Sequence, residues 1–282
     1  MTGMDKAIGT TLEIHPMTAA IGAELLNVDL AAAQSPQTWK SIADALYRYG
    51  VVFFRDQVLT PAQQIEFARR FGDVSAVPLL GDVDGYAELG EVRKERDQRD
   101  ATGNIWHTDQ SARAHPVRAT VLLAREVPAV GGDTCFVSMV SAYEALSDGM
   151  KRTLEGLRAI HSEARVRTRY STADVNLVDE AREPSQATHP VVIRLPEDGR
   201  KALYVNPSKT VCFEGWTQKE SAGLLGFLYQ HAQRLEFMCR FRWREGSMAF
   251  WDNYQTWHYA VNDYHGQRRL MHRTVIESAL FR

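Results

Sequence analysis

The sequence predicts a mainly β fold, a sandwich or barrel core with helices packed outside. Three observations carry that expectation. Strong helix signals are few and gather near the start of the chain. Runs of alternating polarity, rich in β-branched and aromatic residues, fill most of the rest. At 282 residues, 44% hydrophobic and 24% charged, the chain has ordinary globular composition and the length of one large β-rich domain, spanning 1–282.

The elements follow in order. Ser35-Pro36 sets a capping hydroxyl before a proline at the first helical position, and Trp39, Ile42, Ala43, Leu46 and Tyr47 recur at helical spacing until Gly50. Thr60-Pro61 repeats the device, with Ile65, Phe67, Ala68 and Phe71 following and Gly72 closing. The run 93–100, almost wholly charged and polar, reads as a surface loop, and 85–105 and 163–188 are expected to be mobile active-site loops. The stretch around Trp106 reads as extended. Gly131-Gly132-Asp133 turns the chain between the apolar runs 119–124 and 134–137. A weaker helix covers Ser147 to Leu157. Val191 to Leu195, the turn Pro196-Glu197-Asp198-Gly199 and Ala202 to Val205 form a hairpin. Thr217-Gln218-Lys219-Glu220 is a capping box opening a helix. Phe237, Cys239, Phe241 and Trp243 alternate with polar neighbours as a strand does, and 248–251 and 270–276 also suit strands.

Composition excludes several function classes. Thirty-three basic against 35 acidic residues, a net charge of −2, create no global field for nucleic acid or an anionic membrane. Arg165, Arg167 and Arg169 lack the interleaved aromatics of a nucleic-acid surface. No apolar run approaches a membrane span, and the first residues lack the order of a signal peptide, so the expected location is cytoplasmic. Three cysteines without CxxC spacing, Cys135, Cys212 and Cys239, read as reduced and structural.

Chemistry concentrates in two places. In Trp106-His107-Thr108-Asp109, positions i and i+2 of an extended segment share a face and present an imidazole and a carboxylate together. A second histidine has to come from a distant strand, and His258 is best placed. Two histidines and one carboxylate leave three open positions on an octahedral ion, an arrangement associated with non-haem Fe(II) oxygenases, although zinc can take the same ligands. Further on, Arg269 and Arg273 lie on one face of a strand with Met271 and Val275. A guanidinium among apolar neighbours needs an anion, and its planar fork suits a carboxylate.

Together these pieces place the chain by resemblance. Ile21-Gly22-Ala23, Val51-Val52-Phe53-Phe54-Arg55-Asp56-Gln57, Arg70-Phe71-Gly72, Trp106-His107-Thr108-Asp109, Gly131-Gly132-Asp133-Thr134, His189-Pro190, Tyr204-Val205-Asn206, Trp251-Asp252-Asn253 and His258 with its two following arginines resemble the Fe(II)/2-oxoglutarate-dependent dioxygenases of the taurine and aryloxyalkanoate family. That resemblance implies a double-stranded β-helix, or jelly-roll, core. It also implies Fe(II), 2-oxoglutarate as cosubstrate and O2, with succinate and CO2 as coproducts, and a homo-oligomer. His107, Asp109 and His258 are then the iron ligands, and Thr134 and Arg269 the 2-oxoglutarate anchors. Arg273 is expected close to the cosubstrate, facing the substrate's anion. Trp106, Asp252 and Asn253 are expected to support the ligands from behind.

The chain departs from the taurine enzymes where substrate is gripped. Val77-Pro78-Leu79-Leu80 stands where those carry a histidine and an aromatic residue, Gly103 replaces an asparagine, and Lys209 takes a position that is usually aromatic. Losing two polar grips and gaining aliphatic residues favours a larger, more apolar body. With Gly85-Tyr86, Cys239-Arg240 and Arg242-Trp243, the nearest resemblance is to the aryloxypropionate dioxygenases. The expected substrate is a small, largely apolar organic anion, aryloxyalkanoate-like or a natural-product intermediate, bound by Val77, Leu79, Leu80, Gly103, Lys209 and Arg273. Taurine or alkyl-sulfate chemistry is the alternative, and a zinc-dependent or non-catalytic jelly-roll protein a more distant one.

Overall fold

The computed structural model describes residues 12–76, 81–83, 85–164 and 183–277. Val77, Leu79, Leu80 and the basic residues Arg165, Arg167 and Arg169 lie outside the described residues. Seventeen strands and five α-helices follow in chain order among the described residues. They are β1 (Glu13–Pro16), β2 (Ala23–Leu26), α1 (Pro36–Tyr49), β3 (Val51–Phe54), α2 (Pro61–Arg69), β4 (Val74–Ser75), β5 (Asp82–Val83), β6 (Tyr86–Lys94), β7 (Ala119–Glu126), β8 (Thr134–Ser138), α3 (Met139–Glu144), α4 (Asp148–Leu154), β9 (Arg158–Ser162), β10 (Gln186–Pro190), β11 (Val192–Arg194), β12 (Lys201–Leu203), β13 (Thr210–Phe213), α5 (Gln218–Ala232), β14 (Met238–Phe241), β15 (Met248–Asp252), β16 (Thr256–Ala260) and β17 (Arg269–Ile276).

Strand alternation builds the layers. The large sheet runs β1-β2-β3-β15-β7-β17-β6-β5, with β4 also on β17, and a smaller one runs β14-β8-β16. One set of alternate residues, Val51 and Phe53, Leu122 and Ala124, Ala249 and Trp251, and Met271, packs against Phe136, Cys239 and Phe241 of the smaller sheet. The other set, Val52, Phe54, Val121, Leu123, Met248 and Phe250, packs against Ile42, Leu46, Phe67 and Ala68 of α1 and α2. Both faces of its central strands β3, β15 and β7 are thus dry, which is why these read as continuous apolar runs. Phe53 stacks on Phe241 with ring centroids 4.0 Å apart, joining the sheets, and each fully buried phenylalanine contributes about 1.5–3 kcal/mol. On the far side of the smaller sheet, Val137 and Trp257 face a second core with Leu203, Phe213, Leu225 and Leu228. By the same alternation, Thr120, Thr134, His258, Arg269 and Arg273 point between the two sheets, which makes a jelly-roll sandwich with a polar interior end.

The helix signals hold with small shifts. Ser35 caps α1 and Gly50 ends it. Thr60 and Thr217 each complete a capping box, for α2 and α5. α2 stops at Arg69, capped by Arg70, before the glycine expected to close it.

Four expectations need correction. Tyr86–Lys94 is not loop: it is a nine-residue strand paired along β17, and its charges were misleading because they form ion pairs such as Arg93 with Glu91 and Arg69 with Glu88 on a wet flank. Of 163–188, residues 186–188 belong to β10 and 165–182 lie outside the described residues. The segment around Trp106 is not a strand either, since only His107 makes a bridge, to His258. Phe237 closes a 3-10 turn and the strand is Met238–Phe241. Cys135, Cys212 and Cys239 are all free.

Candidate active site

His107 reaches the interior through one pair of backbone bonds with β16: its N–H donates to the His258 carbonyl at 3.1 Å and the His258 N–H returns to the His107 carbonyl at 2.8 Å. The two rings lie 4.0 Å apart, centroid to centroid. Nε2 of each imidazole is 3.8 Å from Oδ1 of Asp109, and one ligand atom from each of the three falls within 4.8 Å of the others. Nδ1 of His107 meets the Ile105 carbonyl at 2.7 Å, which turns Nε2 toward the aspartate. Gly103, in the left-handed region at φ +85°, lies against this imidazole: a Cβ there would meet Cε1 of His107 at 3.4 Å.

Electrostatics prepare the set for a cation. Burial drives both imidazoles below their ordinary range, opposed at each by the Asp109 charge. Burial pushes the Asp109 carboxyl up, but Arg273, His258, His107 and the Thr120 hydroxyl together outweigh it and hold the group ionised, well below the usual carboxylate range. Neutral imidazole and ionised carboxylate are the forms that ligate a metal. Three such donors converging in the interior fit a divalent ion.

The anion side is equally marked. Arg269 is 5% exposed, and its Nε and Nη2 have no hydrogen-bond partner among the described residues. Its cationic carbon stands 5.7 Å from the Trp243 ring, and Trp243 donates its indole N–H to Thr134 Oγ1 at 2.9 Å. Gly132, at φ +69°, lets the chain pass close: a Cβ would meet Tyr264 at 3.3 Å and Cδ of Arg269 at 3.4 Å. A buried guanidinium lacking a carboxylate fits one arriving with a ligand. Arg273 lies nearer the histidines, its Nη2 2.8 Å from Asp109 Oδ1. Lys209 follows the turn at Asn206, whose Oδ1 accepts the Lys209 N–H at 2.9 Å. Burial pushes its ammonium down, while the charges of Asp109 and Glu163 pull it up and Arg273 lowers it further, so Lys209 shares the field of the same pocket.

The structure therefore brings together His107, Asp109, His258, Thr134, Gly103, Lys209, Arg269 and Arg273. Trp106 and Asp252 stand behind: Trp106 packs on Tyr259, and Asp252 takes an ion pair from Arg118 at 2.7 Å. Sequence reasoning missed Thr120, which donates to Asp109 Oδ2 at 2.7 Å, and the part played by Trp243. A lone hydroxyl residue in the apolar run 119–124 was the available signal for Thr120.

A sandwich that gathers two imidazoles, one carboxylate and an interior arginine orphaned among the described residues defines a metal-dependent enzyme that also takes an anionic cosubstrate. Residues 13–275 match the family described as "Taurine catabolism dioxygenase TauD, TfdA family", and the chain belongs to that family. It is 34% identical to an alpha-ketoglutarate-dependent sulfate ester dioxygenase of Pseudomonas putida, over 94% of this chain and 89% of that one. It is 33% identical to an alpha-ketoglutarate-dependent 2,4-dichlorophenoxyacetate dioxygenase of Cupriavidus pinatubonensis, over 95% and 97% of the two chains. Among solved structures, a taurine dioxygenase from Burkholderia xenovorans superposes with a TM-score of 0.81 at 36% identity, covering 96% of this chain and 92% of that one. The protein is accordingly a 2-oxoglutarate-dependent non-haem iron dioxygenase, using Fe(II), 2-oxoglutarate and O2.

Proposed function

We propose that the enzyme hydroxylates a small, largely apolar organic anion, an aryloxyalkanoate-like carboxylate or a natural-product intermediate of that chemistry, with His107, Asp109 and His258 holding the iron. Bound Fe(II) with 2-oxoglutarate supplies the oxidative chemistry, in which O2 and the keto acid become succinate and CO2 as one substrate C–H becomes C–OH. Arg269, unpaired and buried, takes the distal carboxylate of 2-oxoglutarate, and Thr134, fixed by Trp243, stands beside it as the second anchor. Arg273 releases Asp109 to grip the substrate's anionic group, with Lys209 adding a second positive charge. Gly103 forms the wall against His107. Residues 95–105 form the loop that carries Gly103. A hydroxyl placed beside an ether oxygen gives an adduct that falls apart to a phenol and a keto acid.

The observation that carries this reading is the pair of interior arginines, Arg269 orphaned and Arg273 beside the histidine pair, which provide for two separate anions. Lys209 supports a second reading, a sulfate ester, because three free sulfate oxygens can accept from both Lys209 and Arg273 where a carboxylate offers two. An anaerobic titration of metal-free protein with Fe(II) and 2-oxoglutarate tests the site, by the visible charge-transfer band of a keto acid chelated to ferrous iron. The band is expected in the wild type and absent in His107→Ala. A panel of aryloxy acids and alkyl or aryl sulfates, scored by succinate, then chooses the substrate class. Full substrate-stimulated succinate formation by Arg273→Ala would refute the anion grip.

A further inference from the structure

A carboxylate offers a metal two equivalent oxygens, so a site with a single aspartate has to be told whether to make one bond or two. Oδ1 of Asp109 faces Nε2 of both histidines, while Oδ2 is turned aside and accepts the Thr120 hydroxyl at 2.7 Å. The sense of that bond is fixed from behind. The Trp251 indole N–H can only donate, and it gives to Asn253 Oδ1 at 2.9 Å, which assigns the Asn253 amide. Asn253 Nδ2 is therefore the donor to Thr120 Oγ1, at 3.0 Å. A hydroxyl has one proton, and with Asn253 filling its acceptor side Thr120 directs that proton to Asp109.

The same asparagine holds the ligand loop. Its Oδ1 accepts the Asp109 N–H at 3.4 Å, and its carbonyl accepts the Thr108 hydroxyl at 2.6 Å. Thr120 and Trp251 face each other across β7 and β15, so the relay is built on rigid strands rather than on the loop it controls. Thr120, Asn253 and Trp251 are each at most 2% exposed, where no water competes for their bonds.

We infer that Trp251, Asn253 and Thr120 are positioning residues that make Asp109 a one-oxygen ligand, keeping Oδ2 off the metal so that three of six coordination places stay open. The inference rests on the reading of His107, Asp109 and His258 as metal ligands. Without the Thr120 proton, Oδ2 is free to swing onto the ion and close one of those places.

Co(II) binding to metal-free protein tests this without catalysis, read as the dissociation constant and the visible d–d band. Thr120→Ser retains the hydroxyl and should match the wild type in both. Thr120→Val keeps the shape and removes the proton; Asn253→Asp keeps the shape and draws the Thr120 proton toward the new carboxylate. Both should show a d–d band altered in intensity as the second carboxylate oxygen joins the ion, with a Co(II) dissociation constant displaced from that of the wild type. Circular dichroism and melting establish that each variant is folded at the assay temperature, and the two substitutions alter different atoms, so the outcome does not hang on either alone. Wild-type affinity and an unchanged band in both variants overturn the relay. A wild type that binds Co(II) no better than His107→Ala overturns the metal site and the relay with it, an outcome told apart from failure of the relay alone because there the wild type still binds.

Discussion

At Arg269 the protein keeps a guanidinium in its interior with two nitrogens bonded to nothing among the described residues, and burial pulls its pKa down. Such a charge destabilises the ligand-free fold and stabilises the complex. Arg269→Met should raise the melting temperature of the ligand-free protein, by about 1–2 kcal/mol of stability, while lowering 2-oxoglutarate affinity at least about tenfold. Differential scanning calorimetry with and without 2-oxoglutarate reads both, and unchanged affinity would remove Arg269 from the cosubstrate site. His161 is a second buried base whose charged form burial disfavours. Burial, then the neighbouring His189 and Lys209, push its imidazole down to about 3, against roughly 6.5 when unfolded. Between those values the unfolded chain binds the extra proton. The His161 contribution is therefore complete above about pH 6.5 and is lost on acidification, by about 1.4 kcal/mol per pH unit, until the folded imidazole itself titrates. Urea unfolding at pH 7.5 and 5.0 should show a smaller acid loss for His161→Gln than for the wild type, by about 2 kcal/mol; equal losses would assign the acid sensitivity elsewhere. Residues with a spacing signature, such as His107 with Asp109, were legible in the sequence. Thr120 and Trp243 were not, because a single polar atom on an inward strand position has no pattern until the strand across from it is known.

Among the elements, the turn between β15 and β16 depends on one interior ion pair. Arg118 spans Asp252 at 2.7 Å and Glu197 at 3.0 Å, with its cationic carbon 4.7 Å from the Tyr254 ring. Asp252 is fully buried and also accepts from Gln255 and the Tyr254 N–H. Removing the arginine strands that carboxylate, so Arg118→Met should cost about 3 kcal/mol in urea unfolding, and adding Asp252→Asn should recover a large part of it. A double variant no better than the single one would show that Arg118 acts by packing on the tyrosines. Local signals did well where chemistry is local: the Thr217 capping box and the Ser35-Pro36 and Thr60-Pro61 starts stand where they were expected. They failed at β6, whose polar residues are held by pairing along β17 rather than by their own propensity, and at α3, a short helix buried on several sides and thus without an amphipathic stripe.

For the whole molecule, ligands and fold are thermodynamically linked. A metal that binds only the folded state at about one hundred times its Kd adds about 2.7 kcal/mol, which for a domain of this size corresponds to about 5–10 °C, and a keto acid at the same saturation adds a similar amount again. Adding Co(II) with 2-oxoglutarate should raise the melting temperature by that order and a chelator should reverse it; no shift with either would deny a preformed site. The fold class was readable because both faces of the large sheet's central strands are dry and those strands stand out as apolar runs. Strand order was not, because nothing local says that β17, the last described strand, belongs between β6 and β7. That placement sets a schedule for synthesis. While the chain is being made, His107 and Asp109 emerge with no second imidazole, and the middle of the large sheet stays open until residues 269–276 arrive to fill it. A nascent chain thus lacks the second imidazole until residue 258 has been made, and the two arginines that serve the anions arrive last, on the strand that fills the sheet.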